Sequence, residues 1–241
     1  RRDAITDEGL KYFQAAYPSE DITKEDIFYY VYGLLHSPDY RERYADNLSK
    51  ELPRIPCVKK TADFWHFNRA GRDLAKLHTE YENIEMYPAT IVGTDLHRRP
   101  ETQDPSLYRV EKMRYAKTKI DGKTRDDKTT IIYNNHITVS DIPLEAYAYI
   151  VNGKSALDWV VERQCVKTDK ASGIINDANL WATETMNNPR YPLELFLRVI
   201  TVSIETMKIV NKLPMLESNL DSSFPRPERG GNRSRSRSKR R

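Results

Sequence analysis

Between Thr23 and Pro38 the apolar positions Ile27, Tyr30, Val31 and Leu34 recur at three- and four-residue steps, which predicts a helix. Thr23 stands where a hydroxyl can cap the first turn, and Ser37-Pro38 breaks the run. Tyr40, Tyr44 and Leu48 form a second stripe that ends at Pro53. "DFWHFNRAGRDLAKLHTEYE" is the clearest amphipathic segment, with Phe64, Phe67, Gly71, Leu74, Leu77 and Tyr81 on one face. Residues 192–213 predict a long helix with Leu193, Phe196, Leu197, Ile200, Ile204 and Met207 inward, stopped by Pro214.

The middle of the chain has a different period. Residues 87–107 contain Pro88, Pro100 and Pro105 and few apolar runs, so they read as loops. "YRVEKMRY" (108–115) fits a short strand, and residues 117–128 read as a polar excursion. "TTIIYNNHITV" (129–139) reads as a hairpin, because two β-branched runs flank Asn134-Asn135 and Asn tolerates the positive φ of a tight turn. Helical signals then return. Pro143 suits the start of a helix, Gly153 its end, and Ser155 with Asp158 the N-cap of another. The predicted class is α+β: helical N- and C-terminal parts around a smaller β-containing, basic middle. Residues 1–216 are expected to form the domain.

Composition changes the picture at the C-terminus. Residues 226–241 hold eight Lys or Arg against one Glu, a charge of +7. The whole chain carries only +4, which leaves −3 for the rest. A nucleic-acid argument must therefore rest on local patches. From about residue 217 Ser, Arg, Gly and Pro dominate and apolar periodicity is lost, so 217–241 are expected to be a disordered basic tail. Such a tail would bind nucleic acid through charge alone, and an RNA-binding reading rests on nothing else. No run of about 18 apolar residues exists, so no membrane helix is expected. The chain opens on Arg1 without a hydrophobic leader and is read as an excised cytoplasmic fragment. Cys57 and Cys165 stand apart and read as reduced, packed thiols.

Catalytic motifs fail one by one. Gly153-Lys154-Ser155 resembles the end of a phosphate-binding loop, but Ala148 occupies the place of the required upstream glycine. "NNPRY" (187–191) lacks the second proline of the amino-methyltransferase loop, with Arg190 in its place. Asp121-Gly122-Lys123 and Asp126-Asp127-Lys128 each match half of a metal-nuclease site, without a partner carboxylate on a neighbouring strand. The histidines at 36, 66, 78, 97 and 136 have no metal-binding spacing. The positive signal is basic. Residues 109–128 carry eight Lys or Arg against four acids, and 164–181 gather Lys167, Thr168, Lys170, Ser172, Asn176 and Asn179 around Gly173 in what reads as a loop.

Several blocks in order carry a resemblance. They are "ITKEDIFYYVYGLLHSPDYRERYADNLSKELPRIP", "DFWHFNRAGRDLAKLHTEYE", "KTTIIYNNHITVSDIP", "YIVNGKSALDWVVERQCVKTDKASGIINDAN" and "VITVSIETMKIVNKLP". Together they resemble the C-terminal specificity domain of type ISP restriction-modification enzymes over about residues 5–214. Those enzymes join nuclease, helicase, adenine-N6 methyltransferase and target recognition domain in one polypeptide. The resemblance implies a non-catalytic domain that selects a site on double-stranded DNA. It implies the methyltransferase and helicase domains of the same polypeptide as partners, and no membrane. ATP, Mg²⁺ and S-adenosylmethionine would serve those other domains, with no cofactor in this fragment. On this reading Arg114, Lys117 and Lys128 are the expected DNA contacts of the middle. Lys154, Lys167 and Lys170 are expected to meet phosphates, and Asn176 to read a base. The alternative is a scaffold that docks methyltransferase to helicase without reading sequence.

Overall fold

A computed structural model describes residues 3–98 and 104–217. The basic tail, apart from Glu217, lies outside the described residues.

The N-terminal part is helical. It contains α1 (Asp7–Ala16), α2 (Lys24–His36), α3 (Pro38–Arg43), α4 (Ala45–Leu48) and α5 (Thr61–Thr79). The predicted cap of α2 is present as a full capping box: the Thr23 hydroxyl accepts from Asp26 N, and the Asp26 side chain accepts from Thr23 N. Helix α1 was missing from the periodicity, since among its residues only Phe13 is buried. The stripe of α5 packs as expected, with Phe64, Phe67, Gly71, Leu74 and Leu77 buried; Tyr81 falls in a separate short 3₁₀ turn.

Helices α2 and α5 cross at backbone contact. A Cβ added to Gly71 would lie 1.8 Å from the Tyr29 carbonyl oxygen, and one on Gly33 would lie 2.1 Å from that of Phe67. Around this crossing Tyr30 stacks on Phe64 with centroids 4.8 Å apart. Buried tyrosines pin the connecting loop, because a buried hydroxyl must find an acceptor. Tyr30 donates to Pro56 O and Tyr17 to Val58 O, both at 2.6 Å.

The second core surrounds α8 (Tyr191–Val210). This helix is buried on nearly every side: Leu193, Phe196, Leu197, Ile200 and Ile204 face inward as predicted, and Leu195, Val199 and Val202 are buried as well. Against it lies a four-stranded antiparallel sheet of β1 (Thr90–Val92), β2 (Arg114–Ile120), β3 (Lys123–Ile132) and β4 (Thr138–Ser140), in the order β1-β4-β3-β2. The predicted hairpin across 129–139 exists, with Ile131 opposite Val139. Its turn is not the expected tight Asn-Asn pair, for neither Asn134 nor Asn135 has positive φ. A wider loop is held instead by the Asn134 side chain, which accepts from His136 N and Ile137 N and donates to Leu107 O and Arg109 O.

Two further hairpins complete the fold: β5 (Ile150–Val151) with β6 (Lys154–Ser155), and β7 (Val166–Thr168) with β8 (Ile175–Asp177). Between them lies α6 (Ala156–Arg163), and α7 (Ala178–Leu180) follows β8. The helix expected from Pro143 is only a 3₁₀ turn, Leu144–Ala148. Gly153 is therefore not a helix end. Asn152 and Gly153, at φ 48° and 82°, form the two-residue turn of the β5–β6 hairpin. The predicted Ser155 cap of α6 is present, with its hydroxyl accepting from Asp158 N at 3.0 Å.

The two cores meet at His78 of α5. Its ring nitrogens contact Tyr32 Oη at 2.8 Å and Thr206 Oγ1 at 2.9 Å, and its ring stacks on Tyr149. After α8 the chain returns to the N-terminal helices, where Leu216 is buried and Leu216 N donates to Asp39 Oδ2.

Candidate nucleic-acid interface

The stretch 117–128, read as a polar excursion, is the β2–β3 hairpin. Register pairs run from Ala116 opposite Asp127 to Ile120 opposite Lys123. Asp121 and Gly122, at φ 51° and 73°, close it as a two-residue turn. Between Tyr115 and Ala116 the register jumps, and Lys128, Thr129 and Thr130 bulge from β3. Beyond the bulge every residue from Lys119 to Asp126 is exposed. The outer hairpin is thus a two-stranded arm standing off the sheet.

Its charges sort by face, because opposed residues of an antiparallel pair share a face. Lys117 pairs with Asp126 on one face, which also carries Lys119 and Thr124. The other face carries Thr118, Ile120, Lys123 and Arg125, with Ala116 and Asp127 at its base. Among the described residues Lys119, Lys123 and Arg125 have no ion-pair partner. Two of the arm's acids are engaged locally, Asp126 by Lys117 and Asp127 by the Thr129 amide and hydroxyl. Those two donors from Thr129 hold the Asp127 carboxyl below the ordinary carboxylate value.

A polar hub fixes the base of the arm. Asp158 of α6 accepts from Tyr115 Oη at 2.7 Å, from Ser155 Oγ at 2.7 Å and from Lys128 Nζ at 3.0 Å. The Lys128 ammonium also sits over the rings of Tyr147 and Tyr115, 4.7 and 5.2 Å from their centroids. Desolvation pushes the Asp158 carboxyl upward, but the donors from Ser155, Tyr115 and Lys128 outweigh it and hold its pKa low. Ser155 and Asp158 thus serve the scaffold that carries the arm.

The β7–β8 hairpin, expected as a loop, is rooted beside the arm. Val166 N donates to Glu111 O, and Arg109 pairs with Asp177 at 3.2 Å. Asn179 bridges both backbone groups of Val110 and is buried. The roots of the two hairpins therefore lie on one short segment, 109–114. In β7–β8, Lys167 is directly opposite Asn176, and both are exposed. Lys170 is exposed in the connecting loop, where Asp169 accepts from Ala171 N and Ser172 N. Ile174 and Ile175 are exposed beside it.

The expected contacts thus fall in different settings. Arg114 and Lys117 are exposed on β2, and Lys167 and Asn176 are cross-strand neighbours. Lys128 is instead taken up in the hub. Lys154 pairs with Glu162 and lies 4.8 Å from the centroid of the Trp159 ring. Lys119, Lys123 and Arg125 belong to the basic stretch 109–128 but are not among the expected contacts; the Asp121-Gly122 turn signal is the local mark of the hairpin that carries them.

Among the described residues, one cleft of about 200 Å³ is lined by Pro105, Arg109, Asn179 and Thr183, and another of about 420 Å³ by Val151, Asn152, Trp159 and Arg163. Neither is lined by an acid, histidine or cysteine. Among the described residues no three His, Cys, Asp or Glu are grouped to hold a metal, and no helix is long and apolar enough to cross a membrane.

Residues 1–195 match the family model described as the Type ISP C-terminal specificity domain. The chain belongs to this family. Solved structures similar to this Type ISP specificity domain agree with the match. One is the ATP-dependent Type ISP restriction-modification enzyme LlaBIII bound to DNA, with TM-score 0.68 and 36% identity over 86% of this chain. A second is a nuclease-deletion mutant of the Type ISP enzyme LlaGI in complex with a DNA substrate mimic, with TM-score 0.66 and 40% identity over 83%. A third is a DrdV–DNA complex, with TM-score 0.66 and 35% identity over 88%. This Type ISP domain spans 12%, 17% and 20% of those three chains respectively. No curated protein matches the chain.

Proposed function

We propose that this chain is the target recognition domain of a Type ISP restriction-modification enzyme and binds double-stranded DNA in a sequence-dependent way. The observation that carries the reading is the family match over residues 1–195, together with similar enzymes solved on DNA. The geometry supports it: two exposed hairpins with basic residues are rooted on one segment of an otherwise mildly acidic domain. The docking-only alternative has no comparable support. Cleavage, ATP hydrolysis and adenine methylation, with ATP, Mg²⁺ and S-adenosylmethionine, are assigned to other segments of such an enzyme.

Within this reading Arg114, Lys117, Lys167 and Lys170 meet phosphates, and Asn176 reaches a base edge from beside Lys167. Lys128 holds the arm in place, and Lys154 braces α6 through Glu162. The test is selection of duplexes with a randomised centre by the purified chain at several salt concentrations. Enrichment of one sequence is the expected result. Retention of duplex without enrichment at any salt overturns the reading.

A further inference from the structure

We propose that the outer β2–β3 arm, residues 116–127, lies in the major groove as a two-stranded ribbon, and that its Thr118–Ile120–Lys123–Arg125 face reads the bases. This rests on the proposed role in duplex recognition and adds the groove, the element and the residues.

Dimensions come first. Paired strands stand about 4.8 Å apart and rise about 3.3 Å per residue. A ribbon of this kind fits the roughly 12 Å major groove and is too broad for the roughly 6 Å minor groove. Five register pairs outside the bulge give an arm of about 16 Å, the length of about five base-pair steps. Residues Lys119 to Asp126 are all exposed, so the arm is free to enter a groove up to the bulge.

Chemistry then chooses the face. Arg125 and Lys123 supply the donors that suit the N7 and O6 acceptors of guanine. Thr118 offers a hydroxyl beside Arg125. Ile120 is 46% exposed at the tip, an apolar side chain with no cover, placed where a thymine methyl would meet it. The opposite face is poorer in free donors because Lys117 is bound to Asp126. Lys119 and Thr124 on that face point away from the bases, and the long Lys119 stem reaches over the ribbon edge to phosphate. The bulge and the Asp158 hub hold the arm at a fixed angle, so ordering it costs little on binding.

The test uses the full chain, the duplex it selects, and dimethyl sulfate, which methylates guanine N7 in the major groove and adenine N3 in the minor groove. The native chain is expected to protect guanine N7 within a block of about five base pairs. Replacing residues 117–126 by Asn-Gly is expected to abolish both the protection and the preference in that block. The exposed double variant K123Q/R125Q, whose fold should be unaffected, is expected to lower discrimination at one or two positions by roughly 5- to 100-fold. Protection of adenine N3 alone overturns the groove assignment. An unchanged selected sequence and footprint in both variants overturns the arm as reader while leaving the domain's recognition role intact. Failure of the native chain to select any sequence removes the underlying reading, and the arm proposal with it.

Discussion

The Lys128 ammonium lies 3.0 and 3.1 Å from the two carboxylate oxygens of Asp158, thirty residues later in the chain. This contact joins the base of the β2–β3 arm to the first turn of α6. It is reinforced by Tyr115 and Ser155, which donate to the same carboxylate, and by Tyr147, whose hydroxyl donates to Lys128 O. A basic residue within a basic stretch is thereby spent on architecture.

That assignment separates two kinds of lysine. Lys128→Met should lower the unfolding free energy by about 1 kcal/mol, since its ammonium is partly exposed and Asp158 retains two other donors. The same change should leave the salt dependence of DNA binding close to native. Lys117→Gln and Lys167→Gln should do the reverse. Each is expected to leave stability within about 0.5 kcal/mol and to reduce the log K against log salt slope by about 1 at every sequence. Urea unfolding and binding titrations at three salt concentrations check both halves. A slope change in Lys128→Met equal to that in Lys117→Gln would refute the division.

Removing the acceptor should cost more than removing one donor. Asp158→Ala strands the Tyr115 hydroxyl and the Lys128 ammonium and deletes an i+3 partner of the Ser155 cap. A loss of about 1–3 kcal/mol is expected. Because the Asp158 pKa is held low in the folded state, its contribution is present above the ordinary carboxylate pKa and fades as pH falls through the lowered value. In Asp158→Asn the acid limb of the stability curve should be correspondingly shallower, measured by urea midpoints between pH 5 and pH 3.

Helical segments were legible because their apolar residues repeat and their caps are local. Thr23 with Asp26, and Ser155 with Asp158, each pair over three residues, so sequence alone places them. The arm was not legible as a hairpin. Its strands bury nothing, so there was no apolar alternation to see, and the one local signal was Asp121-Gly122. Gly153 misled for a related reason. A glycine at positive φ serves a helix end and a two-residue hairpin turn equally well, and only the pairing of Val151 with Lys154 decides between them. The roles of Lys128 and Asn179 depend on partners 30 and 69 residues away, Asp158 and Val110, which no local pattern encodes.

The α2–α5 crossing yields a separate prediction. Gly71→Ala places a methyl carbon where the Tyr29 carbonyl oxygen stands, and backbone on both sides must part. Such overpacking typically costs about 1–3 kcal/mol, and a carbonyl cannot swing aside as a side-chain tip can, so the upper end is expected. The readout is thermal unfolding of the purified variant. A melting temperature within a degree of native would show that the helices are not held at this distance.

His78 makes the junction of the two cores sensitive to acid. Burial, and then the neighbouring His36, depress its pKa from the ordinary histidine value to about 4. His36 is itself lowered, chiefly by burial. The folded junction therefore keeps the His78 ring neutral while the unfolded chain takes up a proton near pH 6.5. From about pH 6.5 down to about 4 the unfolded state binds more protons, so stability falls as pH falls; below that range both states are charged and the slope ends. The full effect should be on the order of 1–2 kcal/mol after allowing for partial solvent screening. His78→Gln removes the titrating ring, so its urea midpoint should change less than the native midpoint between pH 7 and pH 4.5. An equally steep fall in that variant would place the acid sensitivity elsewhere.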